Sequence, residues 1–401
     1  MPSKRRGNRE GSIVQRKDGR WQGQASFPDG RRKTVYGKTR ETVAGELLKL
    51  LTAERTGAPV PGHMLTVGRH LTRWLENVKP EVRFGTWRRY EQLVRAHLEP
   101  ALGKVRLSRL TPNHLRDLFA AKAAAGLAPA TIRHMRAVLR IALQAALRDG
   151  DVVRNVATLT RPPKASQNGA APMRALTKDQ ARQLLEVAAF DRLSALYWLA
   201  LTTGARQGEL LALSWQAIDL RAGTMRIAAT LQRTAEGLTL AATKTDASRR
   251  VVTLTPGTVA ALRRHRARQA KERAAADKLW TDSGLVFTSE IGTPLEAGNV
   301  LRRSFWPLLL RLGLAERITW EIDAVRRGKP VKVQRSRIVP HLRFHDLRHS
   351  AATLLLETGM HPSVVAAMLG HSKTSTTLNV YSHVTPSLAA QATSRMAELL
   401  S

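Results

Sequence analysis

A stretch without periodicity divides this chain of 401 residues. Residues 161 to 174 read Arg-Pro-Pro-Lys-Ala-Ser-Gln-Asn-Gly-Ala-Ala-Pro-Met-Arg, a mixture of proline, glycine and polar residues that suits neither a helix nor a strand. Regular apolar patterns stand on both sides of it. A chain of this length also suits two or three domains of about 100 to 200 residues each. We therefore interpret residues 161–174 as a linker between separately folded domains.

The first 60 residues are typical of a small β-sheet followed by a helix. The turn dipeptides Asp18-Gly19 and Asp29-Gly30 separate three strand-like segments between positions 11 and 36. A helix pattern follows, with Thr39 or Thr42 as its cap. A sheet of this size fits the major groove of DNA, and the alternative is a solvated basic face. The candidate DNA-binding residues of the sheet are Arg16, Lys17, Arg20, Arg31, Arg32 and Lys33.

Residues 64 to 160 predict an all-helical domain. Apolar residues recur at helical spacing throughout, as in Leu71, Trp74 and Leu75, and Thr111-Pro112 is a typical helix start. We interpret these apolar stripes as core. The candidate DNA-binding residues of this domain are the arginines Arg88, Arg89, Arg133 and Arg136.

Residues 175 to 401 predict a mixed α+β domain. Helices are expected at 177–188 and 192–203, strands at 224–229, 238–243 and 250–254, a turn at 246–248, and mainly helices from there to the C-terminus. The segment 315–340 is rich in arginine and lysine, and we interpret it as an insertion without assigning it a role. The predicted fold class is multidomain and mainly α, with small β-sheets.

Composition points to a polyanionic partner. The chain carries 65 Lys+Arg against 31 Asp+Glu, a formal charge of +34, which favours nucleic acid as the partner. The absence of cysteine excludes disulfides, thiolate zinc sites and a cysteine nucleophile. The N-terminus is basic without an apolar signal region, and no apolar run reaches the length of a membrane span. We expect a soluble cytoplasmic protein, associated with the nucleoid and without a membrane partner.

Six polar residues of the third domain stand beside predicted turns and helix starts, and they suit a phosphoryl transfer without a metal. Two arginines can hold the non-bridging oxygens of a phosphodiester. A tyrosine can attack as nucleophile, a histidine can accept its proton, and a lysine can protonate the leaving oxygen. The six residues are Arg206, Lys244, His345, Arg348, His371 and Tyr381.

These segments resemble the catalytic pattern of the tyrosine recombinase (phage integrase) family. The matching pieces are Thr203-Gly-Ala-Arg206-Gln-Gly-Glu-Leu, Lys244, His345-x-x-Arg348-His349, Leu-Gly-His371-Ser and Val380-Tyr381-Ser-His. The resemblance implies that Tyr381 attacks the phosphate and forms a 3′-phosphotyrosyl enzyme, while Arg206 and Arg348 hold the phosphate. It further implies Lys244 as general acid, His345 as proton acceptor and His371 as a phosphate ligand. Glu209 and His349 would be supporting residues.

The resemblance also implies an organisation and partners. Residues 1–60 would form an arm-type DNA-binding domain, 64–160 a helical core-binding (SAM-like) domain and 175–401 the catalytic domain, with 161–174 as linker. The expected partners are double-stranded DNA at specific attachment sites and further copies of the chain, as a tetramer on DNA. A host DNA-bending factor or a directionality factor stays open. No cofactor and no metal ion are expected.

Several alternatives remain at this point. His341, His345 and His349 have a spacing that a metal face could use, although Pro340 and Arg343 argue against one continuous helix. Arg206 alone could cap a helix C-terminus. Three other lysines, Lys278, Lys329 and Lys332, compete with Lys244. Two other functions stay open: a type IB topoisomerase, and a DNA-binding protein without catalysis, such as a repressor.

Overall fold

The computed structural model describes residues 11–26, 32–55, 65–161, 175–242, 249–326 and 329–370. The chain divides into two compact units, Met1–Ala171 and Pro172–Ser401, so the division falls within residues 161–174. The prediction of a mainly helical chain with small antiparallel sheets is confirmed. The finer division of the first unit into two domains stays a prediction.

The first unit begins with a small sheet. Its three strands pair antiparallel in chain order: β1 (Ser12–Gln15), β2 (Trp21–Ser26) and β3 (Arg32–Gly37). Helix α1 (Arg40–Arg55) follows, and Thr39 caps it by accepting a hydrogen bond from the backbone N–H of Thr42 at 3.2 Å. Gly23 in the middle strand lets α1 approach, because a Cβ there would lie 2.6 Å from Val43.

The rest of the first unit is helical, as predicted. Its helices are α2 (Val67–Val78), α3 (Phe84–Leu93), α4 (Glu99–Leu102), α5 (Pro112–Ala124) and α6 (Pro129–Arg148). A π-helical turn joins α3 to α4. The predicted start of α5 is confirmed, with Pro112 in the first turn and Thr111 in a capping box with His114. The apolar stripes meet in one core that includes Leu71, which is fully buried.

The second unit combines helices with two small sheets in its N-terminal half. Its helices are α7 (Lys178–Ala188), α8 (Ser194–Thr203), α9 (Gln207–Leu211), α10 (Pro256–Ala276), α11 (Ala297–Val300), α12 (Trp306–Arg311), α13 (Phe344–Glu357) and α14 (Pro362–Leu369). One sheet has the order β4 (Ile218–Asp219), β5 (Thr224–Ile227) and β8 (Arg250–Thr253), and the other pairs β6 (Ala229–Thr234) with β7 (Gly237–Ala242). The predicted strand 224–229 therefore ends earlier, and a separate strand starts where it was expected to end. The predicted turn at 246–248 lies outside the described residues.

Residues 315–340 form a long hairpin that the sequence analysis did not predict. Strands β9 (Ala315–Arg326) and β10 (Lys329–Pro340) pair antiparallel over their whole length. Ile318, Trp320 and Ile322 alternate with polar residues along β9, which is the two-residue period of a strand. The expectation that helices dominate after residue 254 is wrong for this segment, because its high charge hid that alternation.

The core of the second unit surrounds α8. Tyr197 is fully buried, as expected of a core residue, and its ring stacks on that of Phe305 at 5.9 Å between centroids. None of the helices within the described ranges is long and apolar enough to cross a membrane.

Candidate active site

The turn between α8 and α9 is built around Gly204. This residue ends α8 with a φ of +59°, a conformation that favours glycine. A Cβ at Gly204 would also lie 2.3 Å from Cδ2 of Leu369 in α14, so a side chain would push the two elements apart. Gly204 thus occupies the C-cap of α8, and Arg206 instead lies at the N-cap of α9.

Glu209 holds the guanidinium of Arg206 in place. Nη1 of Arg206 donates to Oε1 of Glu209 at 2.8 Å, and the backbone N–H of Arg206 donates to Oε2 at 3.0 Å. The side chain of Arg206 is 40% exposed, whereas that of Glu209 is buried. This charge-assisted pair fixes the orientation of an accessible cation.

A third charged residue, Arg250, joins this pair. Arg250 begins β8, and its Nη2 donates to Oε2 of Glu209 at 3.0 Å. Burial acts to raise the pKa of Glu209, but Arg250 and Arg206 outweigh it and hold the pKa below its ordinary value. Glu209 is therefore a carboxylate between two guanidinium groups. Arg250 was not among the predicted site residues, because no turn or cap signal distinguishes it from the many other arginines.

The start of α13 is fixed by its own first turn. Arg343 and Asp346 form a capping box, in which the backbone N–H of Arg343 donates to the carboxylate of Asp346 at 2.8 Å. Two residues further on, Arg348 is almost fully buried, and its Nη1 donates to the carbonyl oxygen of Gly204 at 2.8 Å. This hydrogen bond ties α13 to the turn that carries Arg206. Asp346 was also missed, because Arg343 at the N-cap does not match the Ser/Thr-x-x-Glu pattern of a capping box.

His345 and His349 lie on successive turns of α13. Their rings meet edge to face, with 4.9 Å between centroids. Partial burial, and then the charge of Arg348, lower the pKa of His345 from its ordinary value. Burial, and then the charge of His345, lower the pKa of His349 to about 4. Both imidazoles are therefore neutral near pH 7, which is the state that can accept a proton.

The spacing of His341, His345 and His349 does not produce a shared metal-binding face. His341 precedes α13, which begins at Phe344, so the three histidines do not share one helix face. Within the described ranges, no three His, Cys, Asp or Glu side chains form a cluster that could hold a metal ion.

The structure thus brings Arg206, Glu209 and Arg348 together around the turn at Gly204, and it places His345 and His349 on the same helix as Arg348. The other three predicted residues, Lys244, His371 and Tyr381, lie outside the described residues. Strand β7 ends at Ala242, two positions before Lys244, and α14 ends in Gly370 with a φ of +68°, directly before His371. Of the competing lysines, Lys332 is paired with Glu321 on the long hairpin at 3.6 Å.

The predicted DNA-binding residues of the sheet lie on different sides of it. Arg16, Lys17, Arg20 and Arg32 are exposed, while Arg31 is outside the described residues. Lys33 pairs with the buried Ala25 and so shares the face that packs on α1. The opposite face carries polar and aromatic side chains that the sequence analysis did not select. These side chains are Gln22, Gln24, Thr34 and Tyr36.

The predicted arginines of the helices differ in how firmly they are held. Arg88 is exposed and pairs with Glu91 at 3.6 Å, and Nη2 of Arg89 lies 3.0 Å from Nδ1 of His134. Arg133 is exposed. Arg136 is half-buried, and its Nε donates to the carbonyl oxygen of Thr160 at 2.7 Å, so it also holds the chain just before residue 161.

Comparisons with known proteins all indicate the same family. A model described as the phage integrase family matches residues 174–387, and a model of the phage integrase N-terminal SAM-like domain matches residues 66–122. A tyrosine recombinase XerC-like protein of Caldanaerobacter subterraneus subsp. tengcongensis is 27% identical over 376 residues, which cover 88% of each chain.

Solved structures share the fold. The Tn1549 transposon integrase in complex with a circular intermediate DNA matches with a TM-score of 0.66 at 20% identity, over 83% of this chain and 99% of that chain. A lambda integrase tetramer bound to a Holliday junction matches with a TM-score of 0.54 at 18% identity, over 90% of this chain and 95% of that chain.

Proposed function

This chain belongs to the phage integrase family, and from that premise we propose which of its residues break and rejoin DNA. The protein is a tyrosine site-specific recombinase of the kind that phages and other mobile elements use. We propose that it integrates or excises such an element at specific attachment sites in double-stranded DNA. Its work would then take place on the chromosome, at the nucleoid of the cytoplasm.

The proposed reaction is an attack by Tyr381 on the scissile phosphate. A bond forms between the phenolic oxygen and phosphorus, and the bond from phosphorus to the 5′ oxygen breaks. The phenolic proton passes to His345, and Lys244 protonates the departing 5′ oxygen. Rejoining is the reverse reaction with a 5′-hydroxyl from another strand. The phosphotyrosyl bond keeps the energy of the phosphodiester, so the reaction needs no nucleotide.

Arg206 and Arg348 are proposed to hold the non-bridging oxygens, with His371 as a further donor. The observation that carries this assignment is the convergence of the two arginines on one turn. Arg348 donates to the carbonyl oxygen of Gly204, two residues before Arg206, and Glu209 fixes the guanidinium of Arg206 from the other side. His345 lies on the same face of α13 as His349, which supports its ring from behind.

DNA binding is proposed to use both units. In the first unit, exposed residues of the small sheet and of the helices would contact the duplex. In the second, the catalytic residues would contact the scissile phosphate. The match to a lambda integrase tetramer on a Holliday junction supports the proposal that four copies of this chain assemble on DNA.

Substitution of the nucleophile tests the proposed reaction. We expect Tyr381→Phe to bind an attachment site as the wild-type chain does and to form no covalent adduct, because only the attacking oxygen is removed. The measurement uses a nicked suicide substrate, from which the short 5′-hydroxyl fragment dissociates after cleavage so that the covalent adduct cannot religate, followed by a denaturing gel. A slow-moving protein–DNA band that persists in Tyr381→Phe would exclude Tyr381 as nucleophile. Tyr90→Phe provides a matched control, since the ring of Tyr90 stacks on Trp74 at the helical core of the first unit.

A further inference from the structure

Arg250 is one member of a closed ring of polar contacts. Its Nη2 donates to Glu209 at 3.0 Å, and its Nε donates to the carbonyl oxygen of Met368 at 2.7 Å. Glu209 in turn binds Arg206, whose Nη2 lies 3.5 Å from the carbonyl oxygen of Gly370. The side chain of Arg250 is 8% exposed, so these contacts are made away from bulk water.

The ring joins three separate parts of the second unit. Arg206 and Glu209 belong to α9 and its cap, Arg250 begins β8, and Met368 and Gly370 form the end of α14. Carbonyl groups in the last turn of a helix have no partner within the helix, and a cation is favourable there. Arg250 supplies that cation to α14 and an opposite charge to Glu209 with one planar group.

We propose that Arg250 is a positioning residue for cleavage, which acts through Glu209 on Arg206 and through Met368 on the C-terminal end of α14. This proposal rests on the proposed function. Arg250 is not expected to contact DNA itself, because Nη2 and Nε of its guanidinium are engaged by Glu209 and by the carbonyl oxygen of Met368. Its effect is to set the position of the guanidinium that holds the scissile phosphate.

Lysine cannot replace this arginine, although it keeps the charge. The two contacts are made by different nitrogens of one rigid fork, and a single ammonium group lacks that geometry. Displacement of a catalytic group by about 1 Å can reduce a rate by about 10²-fold. Arg250→Lys should therefore impair cleavage more than its preserved charge suggests.

The test compares Arg250→Lys with the wild-type chain, and uses Arg249→Lys as control, since Arg249 is the exposed neighbour. Full-length proteins are assayed on a suicide substrate with an ordinary phosphodiester and on one with a methylphosphonate at the scissile position. The methylphosphonate has one non-bridging oxygen replaced by a methyl group, so less charge has to be neutralised during attack. Binding affinity for the site and the melting temperature are measured on the same samples.

We expect Arg250→Lys to bind the site within about threefold of wild type and to cleave the phosphodiester about 10²-fold more slowly. On the methylphosphonate the defect should shrink at least about tenfold, because the misplaced Arg206 matters less there. Arg249→Lys should behave as wild type on both substrates.

Three results would overturn the proposal: cleavage by Arg250→Lys at the wild-type rate, an equal defect on both substrates, or a defect that only follows the fraction of unfolded protein. If Arg250→Lys does not fold, Glu209→Gln decides the matter, since it removes the shared charge at constant shape. It should show the same selective defect on the phosphodiester, and cleavage at the wild-type rate would refute the role of Arg250. If the wild-type chain forms no covalent adduct, the proposed function itself fails, and the proposal for Arg250 falls with it.

Discussion

His349 shows how packing within α13 changes the pKa of one of its own side chains. The ring is packed against that of His345, and burial, together with the charge that His345 would carry, lowers the pKa of His349 to about 4. An unfolded chain has no such packing, and its histidines titrate near 6.5. Between these two values the unfolded chain binds a proton that the folded chain does not. Stability of α13 is therefore linked to pH in this window.

We expect acidification to weaken the packing of α13 through His349. The contribution of His349 is complete above pH 6.5 and is lost progressively as the pH falls towards about 4. At pH 5 the free energy of opening α13 is lowered by at most about 2 kcal/mol. This value is an upper limit, because solvent screens the charge of the partly exposed His349. Hydrogen exchange of α13 peptides at pH 7 and pH 5, corrected for intrinsic rates, measures it. His349→Gln should lose less protection than wild type, and an equal loss in both would contradict the assignment.

The residues that could be predicted from sequence are those with a local signal. Arg206 follows a glycine that ends a helix, and His345 and Arg348 follow a helix start, so each stands in a recognisable context. Arg250 carries no such context, because its partners Glu209 and Met368 are distant in sequence. Only the fold brings those three together, and no pattern within a short window could have selected Arg250.

At the scale of elements, the alternation of its strands gives the small sheet two faces of different chemistry. Gly23 and Ala25 face α1, so the residues between and before them, Gln24 and Gln22, face away from it. Glutamine can read the edge of adenine with two hydrogen bonds, whereas lysine and arginine side chains commonly contact phosphates. The basic residues were predicted from the sequence and the glutamines were not, because charge can be read from a sequence, whereas the face on which a side chain lies depends on the strand pairing.

We predict that Gln22 and Gln24 determine which sequence the sheet binds, whereas Lys17 and Arg20 determine how strongly salt weakens binding. Gln24→Ala should cost about 1 to 3 kcal/mol on the preferred site and little on other DNA. Lys17→Ala and Arg20→Ala should weaken binding to all DNA equally and reduce the salt slope by about 1 each. Titrations against preferred and scrambled duplexes at several salt concentrations measure both quantities. If Gln24→Ala weakens binding to both duplexes equally, the sheet does not read bases through this face.

The long hairpin shows where element prediction failed for a different reason. Strand periodicity is present in β9, but residues 315–340 contain seven lysines and arginines, and this composition led to the interpretation as an insertion. Strand β10 also mixes apolar with basic residues. Its Arg337 lies over the ring of Trp320 in β9, 6.0 Å from the ring centroid. Cross-strand contacts of this kind stabilise a hairpin, and they become visible only when the register is known.

At the scale of the whole molecule, the chain has two units, each built around its own core, and an excess of positive charge. A formal charge of +34 opposes self-association in the absence of DNA, since copies repel each other. Duplex DNA neutralises that charge and can bring copies together. Assembly of the proposed tetramer is therefore expected to depend on DNA and on contacts that have no net charge.

The segment after Tyr381 has the composition for such a contact. Pro386 suits the first turn of a helix, and the residues after it combine apolar positions with one basic and one acidic residue, Arg395 and Glu398. The apolar positions are Leu388, Ala389, Met396, Leu399 and Leu400. These residues lie outside the described part of the chain. Two arrangements are open: the segment packs on its own catalytic unit, or it docks on a neighbouring copy in a cyclic, head-to-tail assembly.

We predict that the segment after Tyr381, the tail, docks on the neighbouring copy. This docking would couple cleavage to assembly, because the path of the tail determines where Tyr381 can reach. Truncation after Val384 should leave binding to a single site within about threefold of wild type and abolish the tetramer, with cleavage altered in consequence. Native mass spectrometry of the complex with two attachment sites measures assembly. Leu399→Asp should act like the truncation, while Ser394→Asp introduces the same charge at a polar position and should not. A truncated chain that still forms tetramers and recombines at the normal rate would show that the tail packs in cis or has no part in assembly.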